Sequence, residues 1–170
     1  PDALNNKLLC PFQYFGISDS VDYSHIKWSS GKYDSAELTN IYTANDIRVG
    51  DIIKNLNDYT KDIHSVSAVG FCVSVEHAKF MQRKFCNADL SAEYLVSENS
   101  ANREDIIHKF KKKEINYLFV VDIFNEGIDI PQIDTVLFLR PTESLTIFLQ
   151  QLGRGLRLSD DKDVLTVLDF

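Results

Sequence analysis

The chain reads as an α/β domain, a mainly parallel β-sheet with helices on both of its faces. Three observations predict it. Short runs made almost wholly of apolar residues recur at 66–73, 92–96, 117–121, 135–139 and 164–168, and strands of that kind are buried on both sheet faces. Helical patterns lie between most of them, and strand–helix–strand alternation builds right-handed crossovers and a parallel sheet. No internal repeat or low-complexity tract offers a competing organisation.

The first 45 residues differ in texture. They are aromatic-rich and irregular, with one strand-like run over 8–15 and turn-rich stretches at Ser18-Asp19-Ser20 and Ser29-Ser30-Gly31. Residues 1–45 are therefore expected to form a connector packing on the domain made by 46–170. Val49, Ile52, Ile53 and Leu56 fall at i, i+3, i+4 and i+7, the spacing of an amphipathic helix, and Asn45-Asp46 supplies its N-cap. Ala78, Met81 and Phe85 mark a second helix, Ile106, Ile107 and Phe110 a third, and Leu145, Phe148, Leu149 and Leu152 a fourth.

Composition narrows the class. A hydrophobic fraction of 44% with eleven Phe is ample for a packed core. No apolar run approaches the ~18 residues of a membrane-spanning helix, and the opening residues do not read as a signal peptide. Cys10, Cys72 and Cys86 are scattered, as expected of reduced, mostly buried thiols in a cytoplasmic protein. His25, His64, His77 and His108 never fall at a ligand spacing, so no metal site is expected. The net charge of −7 argues against coating nucleic acid by bulk attraction. A narrow groove gripping a few phosphates through amides and hydroxyls stays compatible with it.

In sheets of this type, ligands gather outside the carboxyl ends of the strands. The loops to read are therefore Ser74-Val75-Glu76, 97–100, 122–131 and 140–144. Lys109, Lys111, Lys112 and Lys113 invite a nucleic-acid reading, yet they end a helix before the next strand begins and belong to the opposite edge. Complementing the helix dipole accounts for them.

The segment 142–157 is the richest. At about 100° per residue, Leu145, Phe148, Leu149, Leu152 and Leu156 make an apolar stripe. Gln150, Gly153, Arg154 and Arg157 make a polar one at the same spacing. Two guanidinium groups one turn apart suit phosphate oxygens, and Gly153 leaves room for approach. An ordinary solvated face does not account for glycine at both 153 and 155, each costing about 1 kcal/mol in a helix interior. A structural salt-bridge network stays open.

Gln-x-x-Gly-Arg-x-x-Arg at 150–157 resembles motif VI of superfamily 2 (DEAD/DEAH-like) helicases, where arginines act across a cleft on the γ-phosphate of ATP. Val121-Asp-Ile-Phe-Asn-Glu-Gly-Ile-Asp-Ile-Pro131 resembles motif V, and Ala68-Val-Gly-Phe-Cys-Val-Ser-Val-Glu76 resembles motif IV. The wording of motifs V and VI, with Arg-Pro-Thr-Glu-Ser between them, is similar to the restriction-enzyme and DNA-repair translocase branch. The resemblance implies a RecA-like second motor lobe of an ATP-dependent DNA or RNA helicase or translocase. It implies that Arg154 and Arg157 are arginine fingers and that Gly127, Asp129, Gln150 and Gly153 border ATP. Ser74 and Asn125 would touch the nucleic-acid backbone, and Val121 stands where many relatives carry a phosphate-reaching Thr.

The chain contains no Gly-x-x-x-x-Gly-Lys-Ser/Thr and no Asp-Glu pair suited to magnesium. It therefore reads as a piece of a larger protein, inactive by itself. This lobe would bind one side of the ATP, an N-terminal RecA-like lobe would supply the phosphate loop and the Mg²⁺ ligands, and DNA is expected as partner in preference to RNA. The rival readings are a non-catalytic interaction module that keeps the fold, and a dinucleotide-binding domain, for which the Gly-x-Gly-x-x-Gly turn is missing.

Overall fold

The computed structural model of the chain describes residues 11–121, 132–141 and 164–170. Its elements run in the order β1 (Phe12–Gly16), β2 (Trp28–Ser29), β3 (Lys32–Tyr33), α1 (Ser35–Thr43), α2 (Asp46–Tyr59), β4 (Ala68–Phe71), α3 (Val75–Asn87), β5 (Ala92–Leu95), a 3₁₀ turn (Ser97–Asn102), α4 (Arg103–Lys111), β6 (Tyr117–Val120), β7 (Thr135–Phe138) and β8 (Leu165–Asp169). Six strands form one sheet in the order β1-β8-β7-β4-β6-β5, and every neighbouring pair is parallel. The predicted α/β class with its mainly parallel sheet is the observed one.

Side-chain alternation explains why helices cover both faces. Val69, Phe71, Leu118, Val120, Val136, Phe138, Leu165 and Val167 point into one core, shared with Ile106 and Phe110 of α4. Ala68, Cys72, Tyr117, Phe119, Leu137, Leu139 and Leu168 point into the other, shared with α2 and α3. The chain moves outward from β4 to β5 and back inward to β6. Right-handed crossovers in opposite directions put their helices on opposite faces, as α3 and α4 are. Gly70 belongs to this packing: a Cβ there would lie 2.6 Å from a Phe119 ring carbon.

Helix α2 begins where the sequence signals it. The Asn45 side chain accepts from the Arg48 amide, and Val49, Ile52 and Leu56 are buried. Helix α3 buries Ala78, Met81 and Phe85, and α4 buries Ile106 and Phe110. The stripe of Leu145, Phe148, Leu149 and Leu152 lies outside the described residues.

The N-terminal segment does more than pack on the sheet. Its strand β1 pairs with β8, Phe12 opposite Leu165 through Gly16 opposite Asp169, and so forms an edge of the sheet itself. The remainder builds a small third cluster of Ile26, Leu38 and Tyr42, against which Tyr23, Tyr33 and Val73 pack. Of the cysteines described, Cys72 is buried as expected, but Cys86 is exposed near the end of α3.

Candidate nucleotide and nucleic-acid face

Strand order selects a crevice. The connection leaving β4 runs toward β5, and the one leaving β7 runs the other way, toward β8. Adjacent strands whose connections diverge leave a gap outside their carboxyl ends, where open α/β sheets hold ligands. Here that gap is bordered by Cys72, Val73 and Ser74 after β4 and by Leu139, Arg140 and Pro141 after β7. Phe71 stands in register with Val120 of β6 and Phe138 of β7. The chain therefore leaves β6 at Val121 and β7 at Pro141 on the same edge, flanking Ser74.

Of the site residues predicted from sequence, Ser74 is described. It is half-buried and caps α3, its hydroxyl accepting from the His77 amide at 3.1 Å. Thr39 of α1 lies 2.8 Å from the same oxygen and 2.7 Å from the Ser35 carbonyl. A hydroxyl has one hydrogen, so when Thr39 donates to Ser35, Ser74 donates to Thr39. Asn125, Gly127, Asp129, Gln150, Gly153, Arg154 and Arg157 lie outside the described residues.

Beneath the crevice sits a group that sequence reading passes over. The buried Arg48 donates from Nε to Asp19 Oδ2 at 2.8 Å and from Nη2 to the Leu139 carbonyl at 3.3 Å. Its guanidinium also lies 4.1 Å from the Tyr42 ring centroid. Tyr23 donates to Asp19 Oδ2 at 3.0 Å, so the 2.9 Å contact between the Tyr23 and Tyr42 hydroxyls is donated by Tyr42. Burial raises both phenols' pKa values. His77 stacks against Tyr42 at 4.9 Å, and its Nδ1 accepts from the Val73 amide at 3.3 Å. Burial, with the Arg48 charge adding to it, holds His77 neutral with a pKa of about 3. This network joins the connector, α1, α2 and α3 to Leu139, the residue that follows β7.

Two arginines approach the crevice, one of them, Arg48, already paired with Asp19. Burial pushes the Cys72 thiol up, while Arg48 and Arg140 oppose that shift, which sets both guanidinium groups near the carboxyl end of β4. A cleft of about 260 Å³ elsewhere, bordered by Tyr59, Asp62, Ser65, Asp134 and Thr135, lies at the amino ends of the strands. That is the wrong edge for the chemistry of this fold. The lysines after Ile107 lie toward that edge too: α4 ends just before β6 begins, and Lys109 pairs with Asp105 at 2.7 Å.

An open parallel sheet, covered by helices on both faces and with a crevice outside its carboxyl edge, defines an α/β lobe of the ligand-binding type. Residues 51–159 match the family described as Helicase conserved C-terminal domain, and the chain belongs to that family. It is 30% identical over 171 residues to the Saccharomyces cerevisiae protein named "Putative ATP-dependent helicase IRC3", covering 99% of this chain and 24% of that protein. Among solved structures, the ATP-dependent Type ISP restriction-modification enzyme LlaBIII bound to DNA matches with a TM-score of 0.63 and 18% identity, over 98% of this chain and 12% of that one. The Escherichia coli DEAD-box protein SrmB, bound to regulator of ribonuclease activity A, matches with a TM-score of 0.62 and 18% identity, over 94% and 78%. At such identities the two structures speak for the fold, which is the RecA-like fold of helicase C-terminal lobes. The chain spans about a quarter of the yeast relative's length.

Proposed function

We propose that this chain is the C-terminal motor lobe of an ATP-dependent nucleic-acid translocase, closing on a first RecA-like lobe when ATP is bound. One observation carries this reading: β6 and β7 release the chain at the same sheet edge, on either side of the Ser74 loop. The segment resembling motif V begins at the first exit, and the one resembling motif VI, 150–157, follows the second after eight residues. In this reading Arg154 and Arg157 neutralise charge developing on the transferred phosphoryl group. Asp129 accepts from ribose hydroxyls, and Gly127 and Gly153 admit the nucleotide, with Gln150 beside it. Ser74 and Asn125 touch the nucleic-acid backbone.

Magnesium ligands are assigned to the partner lobe. Among the described residues no group of three or more His, Cys, Asp or Glu is arranged to hold a metal ion. DNA is the proposed track, supported by the wording of motifs V and VI; competition between matched DNA and RNA strands tests the preference. Among the described residues no helix is long and apolar enough to cross a membrane. The free thiols of Cys72 and Cys86 support a reducing compartment, and cell fractionation tests the cytoplasm.

The deciding experiment uses this chain joined to its phosphate-loop lobe. Arg154→Ala and Arg157→Ala should each lower nucleic-acid-stimulated ATP hydrolysis steeply, on the order of the 10³-fold minimum seen for arginine fingers. Lysine should rescue poorly, because a point charge cannot reproduce a planar fork. Turnover near normal in both alanine variants sinks the reading. It would favour an interaction module that keeps the fold.

A further inference from the structure

The stretch from Tyr23 to Tyr33 departs from the rest of the chain. It holds His25, Lys27, Lys32 and the chain's one tryptophan, and no Asp or Glu, although the net charge of the chain is −7. Its structure is a hairpin with Trp28 opposite Tyr33 and Ser29 opposite Lys32. Ser30 and Gly31 turn it with φ of 53° and 80°, the pair of positive values a tight two-residue hairpin turn requires.

The hairpin is braced on one side and open on the other. Tyr33 packs against the Ile26, Leu38 and Tyr42 cluster, as does Val73, the residue before Ser74. Trp28 meets the Tyr33 ring edge-on, centroids 4.6 Å apart at 76°. That contact fixes the indole while leaving it 59% exposed. The acids nearby already have structural duties. Asp34 caps α1 by accepting from the Glu37 amide, and Glu37 accepts from the Lys27 amide at 2.8 Å. The Lys27 ammonium lies 3.8 Å from Glu37 and is itself well exposed, a loose contact that solvent screens.

A braced aromatic face, flanking lysines and serine hydroxyls at a turn are what single-stranded nucleic acid needs: a surface for a base and donors for its phosphates. We propose that the β2–β3 hairpin is a stacking platform for single-stranded nucleic acid, with Trp28 receiving a base and Lys27 and Lys32 the adjacent phosphates. Because Tyr33 and Val73 share one cluster, the strand leaving Trp28 continues toward Ser74. This deepens the motor-lobe reading and rests on its claim that the chain binds nucleic acid.

Trp28 is its own reporter. The chain is titrated with an oligodeoxythymidylate about a dozen nucleotides long, within the span such surfaces cover. Anisotropy of an end-labelled strand reads binding, and tryptophan emission with the unlabelled strand reads stacking. We expect both signals to saturate together. Trp28→Ala should weaken binding about tenfold, Trp28→Phe much less, and Lys27→Glu with Lys32→Glu should weaken it and flatten its salt dependence. Rising anisotropy with unchanged tryptophan emission overturns the hairpin proposal and leaves the motor-lobe reading standing. No anisotropy change at any concentration overturns both. Emission that changes with protein concentration alone marks self-association through Trp28 and also overturns the proposal.

Discussion

Arg48 Nε lies 2.8 Å from Asp19 Oδ2, with the two side chains only 3% and 8% exposed. The pair ties α2 to the connector, and the same guanidinium holds the Leu139 carbonyl at the β7 exit. A buried ion pair gains little over apolar residues of similar size, but one partner left alone is costly, about 3–5 kcal/mol. Arg48→Met should therefore destabilise the chain by that order, and Asp19→Leu comparably. The double variant should recover most of the loss. Urea unfolding checks this; a double variant no more stable than either single one refutes the coupling.

That pair also marks where sequence reading stops. The strand runs at 66–73 and 135–139 are legible because both faces of the sheet are apolar. They extend past β4 and β7 because Cys72 and Leu139, beyond the strand ends, still pack in the core. Arg48 sits one turn before Ile52 and two before Leu56, on the buried stripe of α2. A charged residue in such a pattern reads as solvent-facing unless its partner is known, and Asp19 lies in an irregular segment far upstream. His77 is hidden in the same way, beside Ala78 and Met81 on the buried face of α3. The β1–β8 pairing joins opposite ends of the chain, and no local period encodes it. The loops at the carboxyl edge, that of Ser74 among them, are legible as loops there, while the network beneath them is not.

Stability should fall as pH drops from 7 to 5, and His77 should be the cause. Its folded pKa of about 3 lies below its ordinary 6.5. The depressed value means that the unfolded chain binds the proton and the folded chain does not. The stabilisation is complete above pH 6.5 and is lost progressively as pH falls toward 3. At about 1.4 kcal/mol per unit, the interval from 6.5 to 5 is worth about 2 kcal/mol. Comparison with His77→Leu isolates the contribution of this residue. Denaturation midpoints of the two proteins at pH 7 and pH 5 test this. An equal pH slope in both would rule out His77 as the sensor.

Ser74 carries two roles that one pair of substitutions can separate. Its hydroxyl accepts from the His77 amide and lies 2.8 Å from the Thr39 hydroxyl, and the same side chain is proposed to meet a nucleic-acid phosphate. Ser74→Ala removes the cap and should cost about 0.5–2 kcal/mol. Ser74→Asp introduces a carboxylate that caps a helix as well as serine does and suits the positive end of the α3 dipole. It should therefore keep near-normal stability. The same carboxylate repels phosphate, so oligonucleotide binding should weaken more in Ser74→Asp than in Ser74→Ala. A capping residue with no ligand role predicts the reverse order, with binding tracking stability. Thermal unfolding and anisotropy titration of both variants, at one salt concentration, decide between them.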